Sequence, residues 1–328
     1  MPLALRVFLI VLAGLIGTLI LITAWRAQAR SSIFEARFPA EGQFVEVDGT
    51  RVHAVVMGSG PDLVLIHGAG GSTRDFTQGI AQRLAQSYRV IVFDRPGLGH
   101  TEQIAPAHGR AFSTSAATIV EQATLLRGAA LALGAERPVV AGHSFGASVA
   151  LAWAVTFPDD IAALVDVAGP SLPWPGELSS YYRINGSFLG GIIVPPLIAA
   201  WAPESRIETA VEAVFTPDPV PEGYAANAGA ELVVRPRSLR SNARQVNSLR
   251  PQIVELTPAY GDLDLPVEIL HGDADVTVPL TIHSGPLSDL IPGANLTVLP
   301  GVGHMPHHAD TDALVAAIDR AAMRAGLR

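Results

Sequence analysis

The 328-residue chain is 49% hydrophobic and only 16% charged, a composition that supports a large buried core and excludes an extended disordered chain. Its net charge is −8 and it contains arginine but no lysine, with no basic run that would bind nucleic acid. The absence of cysteine excludes disulfides, thiolate metal sites and a cysteine nucleophile.

The first predicted element is a membrane anchor. An uncharged apolar run extends from Val7 to Thr23, just long enough to cross a bilayer if Ala24 and Trp25 are included. The arginines on both sides and the tryptophan that follows the run are typical of membrane interfaces. We therefore predict that residues 1–30 form a single-pass anchor with its flank, and that residues 31–43 are a linker.

A cleaved signal peptide is the alternative, because Ala27-Gln28-Ala29 resembles a cleavage site. Cleavage there would give a secreted or periplasmic protein. The apolar run is longer than most signal-peptide cores, and Trp25 and Arg26 crowd the cleavage region, so the sequence favours the anchor. A small excess of arginine on the C-terminal side of the run favours a cytoplasmic position for the rest of the chain.

Residues 44–169 have the pattern of an α/β core. A β-hairpin is predicted around Asp48-Gly49, with strands at Phe44–Val47 and Arg51–Val56. Short apolar runs bounded by glycine or proline then predict buried strands at Leu63–Ile66, Val90–Phe93, Val139–Ala141 and Ala163–Val167. Helices are predicted between or after them at 76–86, 115–133 and 147–156. This alternation predicts a mostly parallel sheet with helices on both faces.

Residues 170–265 interrupt the alternation with a stretch rich in proline and tryptophan, which we predict to be an inserted helical cap. Its clearest helical patterns are Glu204–Phe215 and Pro236–Glu255. Residues 266–328 then complete the core, with predicted strands at Val267–His271 and Leu296–Leu299 and helices at 281–290 and 310–325.

Ser144 is the candidate nucleophile. It lies in the turn Gly142-His143-Ser144-Phe145-Gly146, between a predicted strand and a predicted helix. A strained turn in this position exposes a serine hydroxyl above the sheet, and the two glycines allow the close approach that such a turn needs.

A serine needs a base and the base needs a carboxylate, and both are expected at the C-terminal ends of strands. His304 follows the strand Leu296–Leu299 and is the predicted base, whereas His307 and His308 are expected at the surface near the last helix. For the acid, Asp275 and Asp273 both follow the strand Val267–His271. We favour Asp275, which lies farther along the loop, and keep Asp273 as the alternative.

An oxyanion intermediate requires fixed backbone donors. One is predicted to be the N–H of Phe145, the residue after the nucleophile. The other is predicted to be the N–H of Ala69, in the loop His67-Gly68-Ala69-Gly70-Gly71 after the first parallel strand. This loop does not resemble a phosphate-binding P-loop, since no lysine follows it.

From about Phe44 onwards, the chain resembles the α/β-hydrolase family. The motifs that carry the resemblance are HGAGG at 67–71, DRPGLGHT at 94–101, GHSFG at 142–146, HGDADVTVP at 271–279 and GVGH at 301–304. The resemblance implies an eight-stranded, mostly parallel sheet with a cap inserted after strand 6, and a triad of Ser144, His304 and Asp275. It implies no cofactor or metal, and no chemical role for Asp94 or Arg95.

The resemblance also limits the reaction. Haloalkane dehalogenases and epoxide hydrolases of this fold carry aspartate where Ser144 stands, so both activities are disfavoured. Hydrolysis of a carboxylic ester is the predicted reaction. The aromatic residues Trp174, Tyr181, Tyr182 and Phe188 and the apolar run 190–201 suggest a small hydrophobic substrate, although that run could equally be the cap's own core. Amide, lactone or C–C bond hydrolysis, perhydrolysis and a non-catalytic binding role remain alternatives.

Overall fold

A computed structural model describes all 328 residues, and its centre is one eight-stranded sheet in the order β1-β2-β4-β3-β5-β6-β7-β8. The strands are β1 (Gln43–Val47), β2 (Thr50–Met57), β3 (Asp62–Ile66), β4 (Arg89–Phe93), β5 (Val139–His143), β6 (Ala163–Val167), β7 (Val267–Gly272) and β8 (Asn295–Leu299). The hairpin β1-β2 is antiparallel, as is the pair β2-β4, and every other pair is parallel. The predicted mostly parallel sheet is confirmed.

Helices cover both faces of this sheet, as predicted. They are α1 (Leu3–Arg37), α2 (Arg74–Thr77), α3 (Ile80–Leu84), α4 (Ile119–Ala132), α5 (Phe145–Thr156), α6 (Ser180–Gly186), α7 (Phe188–Trp201), α8 (Glu204–Phe215), α9 (Tyr224–Asn227), α10 (Pro236–Leu256), α11 (Ser284–Leu290), α12 (Pro306–Ala309) and α13 (Thr311–Arg324). One apolar core lies between the sheet and α4, α5, α10 and α11. The other lies between the opposite face and α2, α3 and α13.

Two predicted helices differ from the structure, one by a break and one at its start. The helix expected at 76–86 is divided into α2 and α3, because Gly79 between them has a φ of 130° that no helix allows. The helix expected at 310–325 begins one residue later, and Asp310 caps it by accepting a hydrogen bond from the Ala313 N–H.

The chain between β6 and β7 forms five helices, α6 to α10. The longest of them, α10, packs against α5, the helix that follows Ser144. Its buried face includes Asn242 and Gln245, whose side chains bond to loops of the sheet. This segment therefore contacts the loops that follow β3 and β4.

Helix α1 is one unbroken helix of 35 residues, long and apolar enough to cross a membrane. Residues 3–22 project from the body with almost every side chain exposed, whereas Thr23, Ala27, Ser31 and Phe34 are buried at intervals of three or four residues. The predicted linker at 31–43 is therefore wrong for residues 31–37. The helix continues through them because one face of it packs against the body.

The packed half of α1 lies against α7. Arg30 donates hydrogen bonds to the carbonyls of Ala199 (3.0 Å) and Ala202 (2.8 Å). Both carbonyls lie at the C-terminal end of α7, where they accept no hydrogen bond from the helix itself. The indole N–H of Trp201 donates to the Thr23 hydroxyl (3.2 Å). A small apolar cluster that includes Phe34 completes the contact.

Candidate active site

Ser144 occupies the turn between β5 and α5 with backbone angles of φ 52° and ψ −123°. A positive φ is costly for any residue with a side chain, so the surrounding structure must hold the turn. Two glycines make the turn possible. A Cβ on Gly142 would lie 2.2 Å from the Gly146 carbonyl oxygen, and a Cβ on Gly146 would lie 2.2 Å from the Ile66 oxygen. Only glycine fits at either position.

His304 lies between Ser144 and Asp275. Its Nδ1 is 2.7 Å from Asp275 Oδ2, and its Nε2 is 2.9 Å from Ser144 Oγ. A carboxylate can only accept, so Nδ1 carries the proton and Nε2 is left as the acceptor for the serine hydroxyl. All three side chains are buried. The arrangement can transfer a proton from the serine to the imidazole.

Asp275 is held as an anion. Its Oδ1 accepts the N–H groups of Thr277 (2.8 Å) and Val278 (2.9 Å), and its Oδ2 faces His271 and His304. Burial alone would raise the pKa of this carboxyl, but the hydrogen bonds from His271 and His304 outweigh it and hold the pKa well below its ordinary value.

The other candidate acid, Asp273, lies on the exposed side of the same loop. It accepts the Gly301 N–H at 2.6 Å and makes no contact with His304. Of the two aspartates, the structure thus brings only Asp275 to the imidazole.

The loop that contains Ala69 passes directly over the nucleophile. A Cβ on Gly68 would lie 3.1 Å from Ser144 Cβ, so the loop touches the serine. Within the loop the Gly71 N–H donates to the Gly68 carbonyl and the Gly70 N–H donates to Asn242, but the Ala69 N–H donates to no protein group. Phe145 is the first residue of α5, where the amide has no acceptor within the helix.

Arg95 holds this loop through hydrogen bonds to its carbonyl groups. Its guanidinium donates to the carbonyls of His67 (3.0 Å) and Gly68 (3.1 Å) and to Gln245 of α10 (2.9 Å), and it lies 4.2 Å from the centre of the Phe145 ring. Burial lowers the pKa of Arg95 to about 9. Through these contacts Arg95 holds the loop in place. It does not contact Ser144.

Two residues of the segment between β6 and β7 hold the site loops, and the sequence alone did not reveal either. Asn242 accepts the Gly70 N–H at 2.8 Å, and Asp218 accepts the Gly303 N–H, beside His304, at 2.7 Å. Both contacts join positions more than 80 residues apart, so no local motif contains them.

The aromatic residues that suggested a hydrophobic substrate divide into two groups. Trp174 and Tyr182 pack against the core beneath the segment, whereas Tyr181 and Phe188 are exposed. The apolar run 190–201 is α7, whose Leu189, Ile193, Leu197 and Trp201 form an exposed stripe at intervals of four residues.

His307 and His308, which we expected at the surface, lie instead on either side of Asp75, with His307 buried and His308 half-buried. Neither is bonded to Ser144.

A family model described as the alpha/beta hydrolase family matches residues 63–317. An uncharacterised protein from Mycobacterium tuberculosis is 30% identical over 300 residues, which cover 86% of this chain and 81% of the relative. A 2-hydroxy-6-oxo-6-phenylhexa-2,4-dienoate hydrolase from Burkholderia cepacia is 24% identical over 269 residues, which cover 79% of this chain and 87% of that enzyme.

Among solved structures, a bacterial membrane phospholipase A has a similar fold, with a TM-score of 0.65 and 20% identity. The alignment covers 99% of this chain and 98% of the phospholipase. The similarity of fold therefore extends over α1 as well as the sheet.

Proposed function

Because the chain belongs to the α/β hydrolase family, we propose that it is a serine hydrolase that cleaves a carboxylic ester or a related acyl bond. The observation that carries the proposal is the continuous hydrogen-bonded series from Asp275 through His304 to Ser144, with distances of 2.7 and 2.9 Å. A strained serine in such a series is suited to nucleophilic attack.

In the proposed reaction, Ser144 Oγ attacks the substrate carbonyl carbon while His304 Nε2 takes its proton. The imidazolium that forms is stabilised by the Asp275 carboxylate. His304 then gives the proton to the leaving group, and an acyl-enzyme remains. A water molecule, deprotonated by His304, attacks the acyl carbon and releases the acid with regeneration of Ser144.

The charge that develops on the carbonyl oxygen would be stabilised by the N–H groups of Ala69 and Phe145. Both are free of protein acceptors and both border Ser144. Because the backbone is already held in place by Arg95 and Asn242, these donors need little reorganisation during the reaction.

A fluorophosphonate probe tests this proposal, since it labels only an activated serine. The wild-type protein should be labelled once per chain, and Ser144→Ala should remove both the label and all turnover of p-nitrophenyl esters. Labelling that persists in the variant would assign the nucleophile to another residue. A wild-type protein without label or turnover would instead support a binding protein of the same fold.

C–C bond hydrolysis is the second candidate, and the similarity to the Burkholderia cepacia dienoate hydrolase favours it. Parallel assays separate the two. The ester proposal predicts Ser144-dependent turnover of p-nitrophenyl esters that increases with acyl length, with little cleavage of 2-hydroxy-6-oxo-dienoates. The reverse preference would select the C–C hydrolase.

We infer further that residues 170–265 act as a cap and that α1 anchors the protein in a membrane. The burial of Thr23 and Ala27 supports an anchor over a signal peptide, because cleavage after Ala29 would remove the contacts of both residues with the body. The exposed apolar stripe on α7, joined to α1 through Trp201, favours a hydrophobic substrate met at the membrane.

A further inference from the structure

A buried group of histidines surrounds one carboxylate directly behind the nucleophile. Asp75, in α2, is almost fully buried. His307 Nε2 lies 3.4 Å from its Oδ2, and His308 Nε2 lies 3.0 Å from its Oδ1. These three ligand atoms lie within 4.8 Å of one another, with both histidines supplied by α12, just after His304.

His143 faces the same carboxylate from the turn that carries Ser144. Its Nε2 lies 2.9 Å from the His304 carbonyl oxygen, which can only accept, so Nε2 carries the proton and Nδ1 presents a lone pair. That Nδ1 is buried, has no hydrogen-bond partner, and lies 3.9 Å from Asp75 Oδ2. His143 Nδ1 and Asp75 Oδ2, both hydrogen-bond acceptors, thus face each other. A cation between them would stabilise this arrangement.

We propose that Asp75, His143, His307 and His308 bind one divalent transition-metal ion, with zinc as the best match. A tetrahedral zinc ion with bonds of about 2.0 Å holds its ligand atoms about 3.3 Å apart. His308 Nε2 lies 3.0 Å from Asp75 Oδ1 and His307 Nε2 lies 3.4 Å from Asp75 Oδ2, both close to this value. His143 Nδ1, 3.9 Å from Oδ2, lies outside the group formed by those three residues and would have to move toward it to complete the coordination. Three imidazoles and a carboxylate suit zinc better than magnesium or calcium.

The groups around the ligands match those of known metal sites. A histidine ligand usually donates its second ring N–H to a carbonyl, as His143 does to His304. A carboxylate ligand is usually hydrogen-bonded as well, and the Tyr224 hydroxyl donates to Asp75 Oδ1 at 2.8 Å. A surface cavity of about 210 Å³, lined in part by Glu222, Tyr224 and His308, offers an entry path.

The ion would join three segments that carry the proposed reaction. Asp75 follows the Ala69 loop, His143 precedes Ser144, and α12 follows His304. None of the four ligands touches the reacting atoms, so the metal would position these segments and stabilise the fold. No ligand spacing predicts the site from sequence, because the donors come from three distant positions.

Cobalt(II) is the probe for the test, because its visible absorption distinguishes tetrahedral from octahedral coordination without any assay of activity. We expect the full-length protein, stripped of metal in detergent, to bind one Co²⁺ per chain with intense tetrahedral bands. His308→Gln and Asp75→Asn should raise the dissociation constant at least about 100-fold and abolish these bands. His108→Gln, a buried histidine outside the cluster, should leave both unchanged.

His304→Gln separates this site from the proposed triad, since it should still bind Co²⁺ like the wild type. The proposal is overturned if the wild type binds no stoichiometric Co²⁺, if His308→Gln binds as well as the wild type, or if His304→Gln loses binding. Should Asp75→Asn fail to fold, His308→Gln decides alone, because His308 lies at the edge of the cluster beside the surface cavity.

Discussion

Asn242 holds the proposed oxyanion loop from above, through the hydrogen bond from the Gly70 N–H. We predict that Asn242→Ala lowers kcat about tenfold and changes KM little, because a freed loop misplaces the Ala69 donor, and a lost hydrogen bond of this kind is worth about 1 kcal/mol. Steady-state kinetics on a p-nitrophenyl ester measures the effect. Asn247→Ala, in the same helix but bonded to Tyr182, is the matched control and should keep its kcat.

Asp166 carries a second prediction at the scale of one residue. It lies buried in β6, where Oδ1 accepts the Gly169 N–H at 2.9 Å and Oδ2 has no partner. Burial raises its pKa to about 6. A carboxyl whose pKa is higher in the folded state stabilises the fold while it is protonated, and this contribution is lost as the pH rises from about 4 to about 6.

Asp166→Asn should therefore stabilise the protein at pH 7.5, by at most about 3 kcal/mol, and have little effect near pH 4. Thermal unfolding at the two pH values measures the difference. Asp159→Asn, in an exposed turn, should show no such pH dependence. An equal gain at both pH values would mean that ionisation of Asp166 is not the cause.

At the scale of elements, the β5–α5 turn depends on the contact between Gly146 and β3. We predict that Gly146→Ala destabilises the protein by more than about 3 kcal/mol, because the added Cβ would overlap the Ile66 carbonyl and displace β3 or α5. Gly261→Ala is the control, since a Cβ there meets only one atom at 3.9 Å. Chemical denaturation gives the two values, and similar losses would contradict the prediction.

The strands were predictable from sequence to within one or two residues, because a buried parallel strand is a short apolar run bounded by turn residues. β6 was predicted as Ala163–Val167 and is found there. Helix boundaries were less predictable. Gly79 breaks one expected helix, and α1 continues past Arg30 because Phe34 packs against distant parts of the chain, which no local pattern reveals.

The candidate site divides in the same way. Ser144, Asp275 and His304 follow strand ends, and the structure brings them together as the order of the strands implies. Asn242, Asp218 and the histidines around Asp75 were not predictable, since each acts through a residue remote in sequence. Polar contacts of that kind depend on how segments distant in sequence pack together, which no local sequence pattern shows.

At the scale of the whole molecule, α1 has an exposed half and a packed half. We predict that deletion of residues 2–22 yields a protein that no longer sediments with membranes and unfolds at the same temperature, because those side chains make almost no contact with the body. Deletion of residues 2–37 should lower the unfolding temperature clearly, since loss of a buried phenylalanine such as Phe34 costs about 3–5 kcal/mol.

Mass spectrometry of the full-length protein from membranes provides the accompanying check. An anchor predicts an intact N-terminus at Met1, and a mature chain beginning after Ala29 would establish the signal peptide instead. Equal unfolding temperatures for the two truncated forms would show that α1 does not stabilise the body.

Helix α1 passes from its exposed half into the packed body without a break. If α1 crosses a bilayer as proposed, such a connection would leave the body free to rotate about the membrane normal but not to tumble, so Ser144 would keep a fixed height above the membrane. Encounters with a lipophilic substrate would then take place by lateral diffusion in two dimensions. The reaction rate would depend on the number of substrate molecules per lipid, and dilution with inert lipid would slow it even at constant bulk concentration.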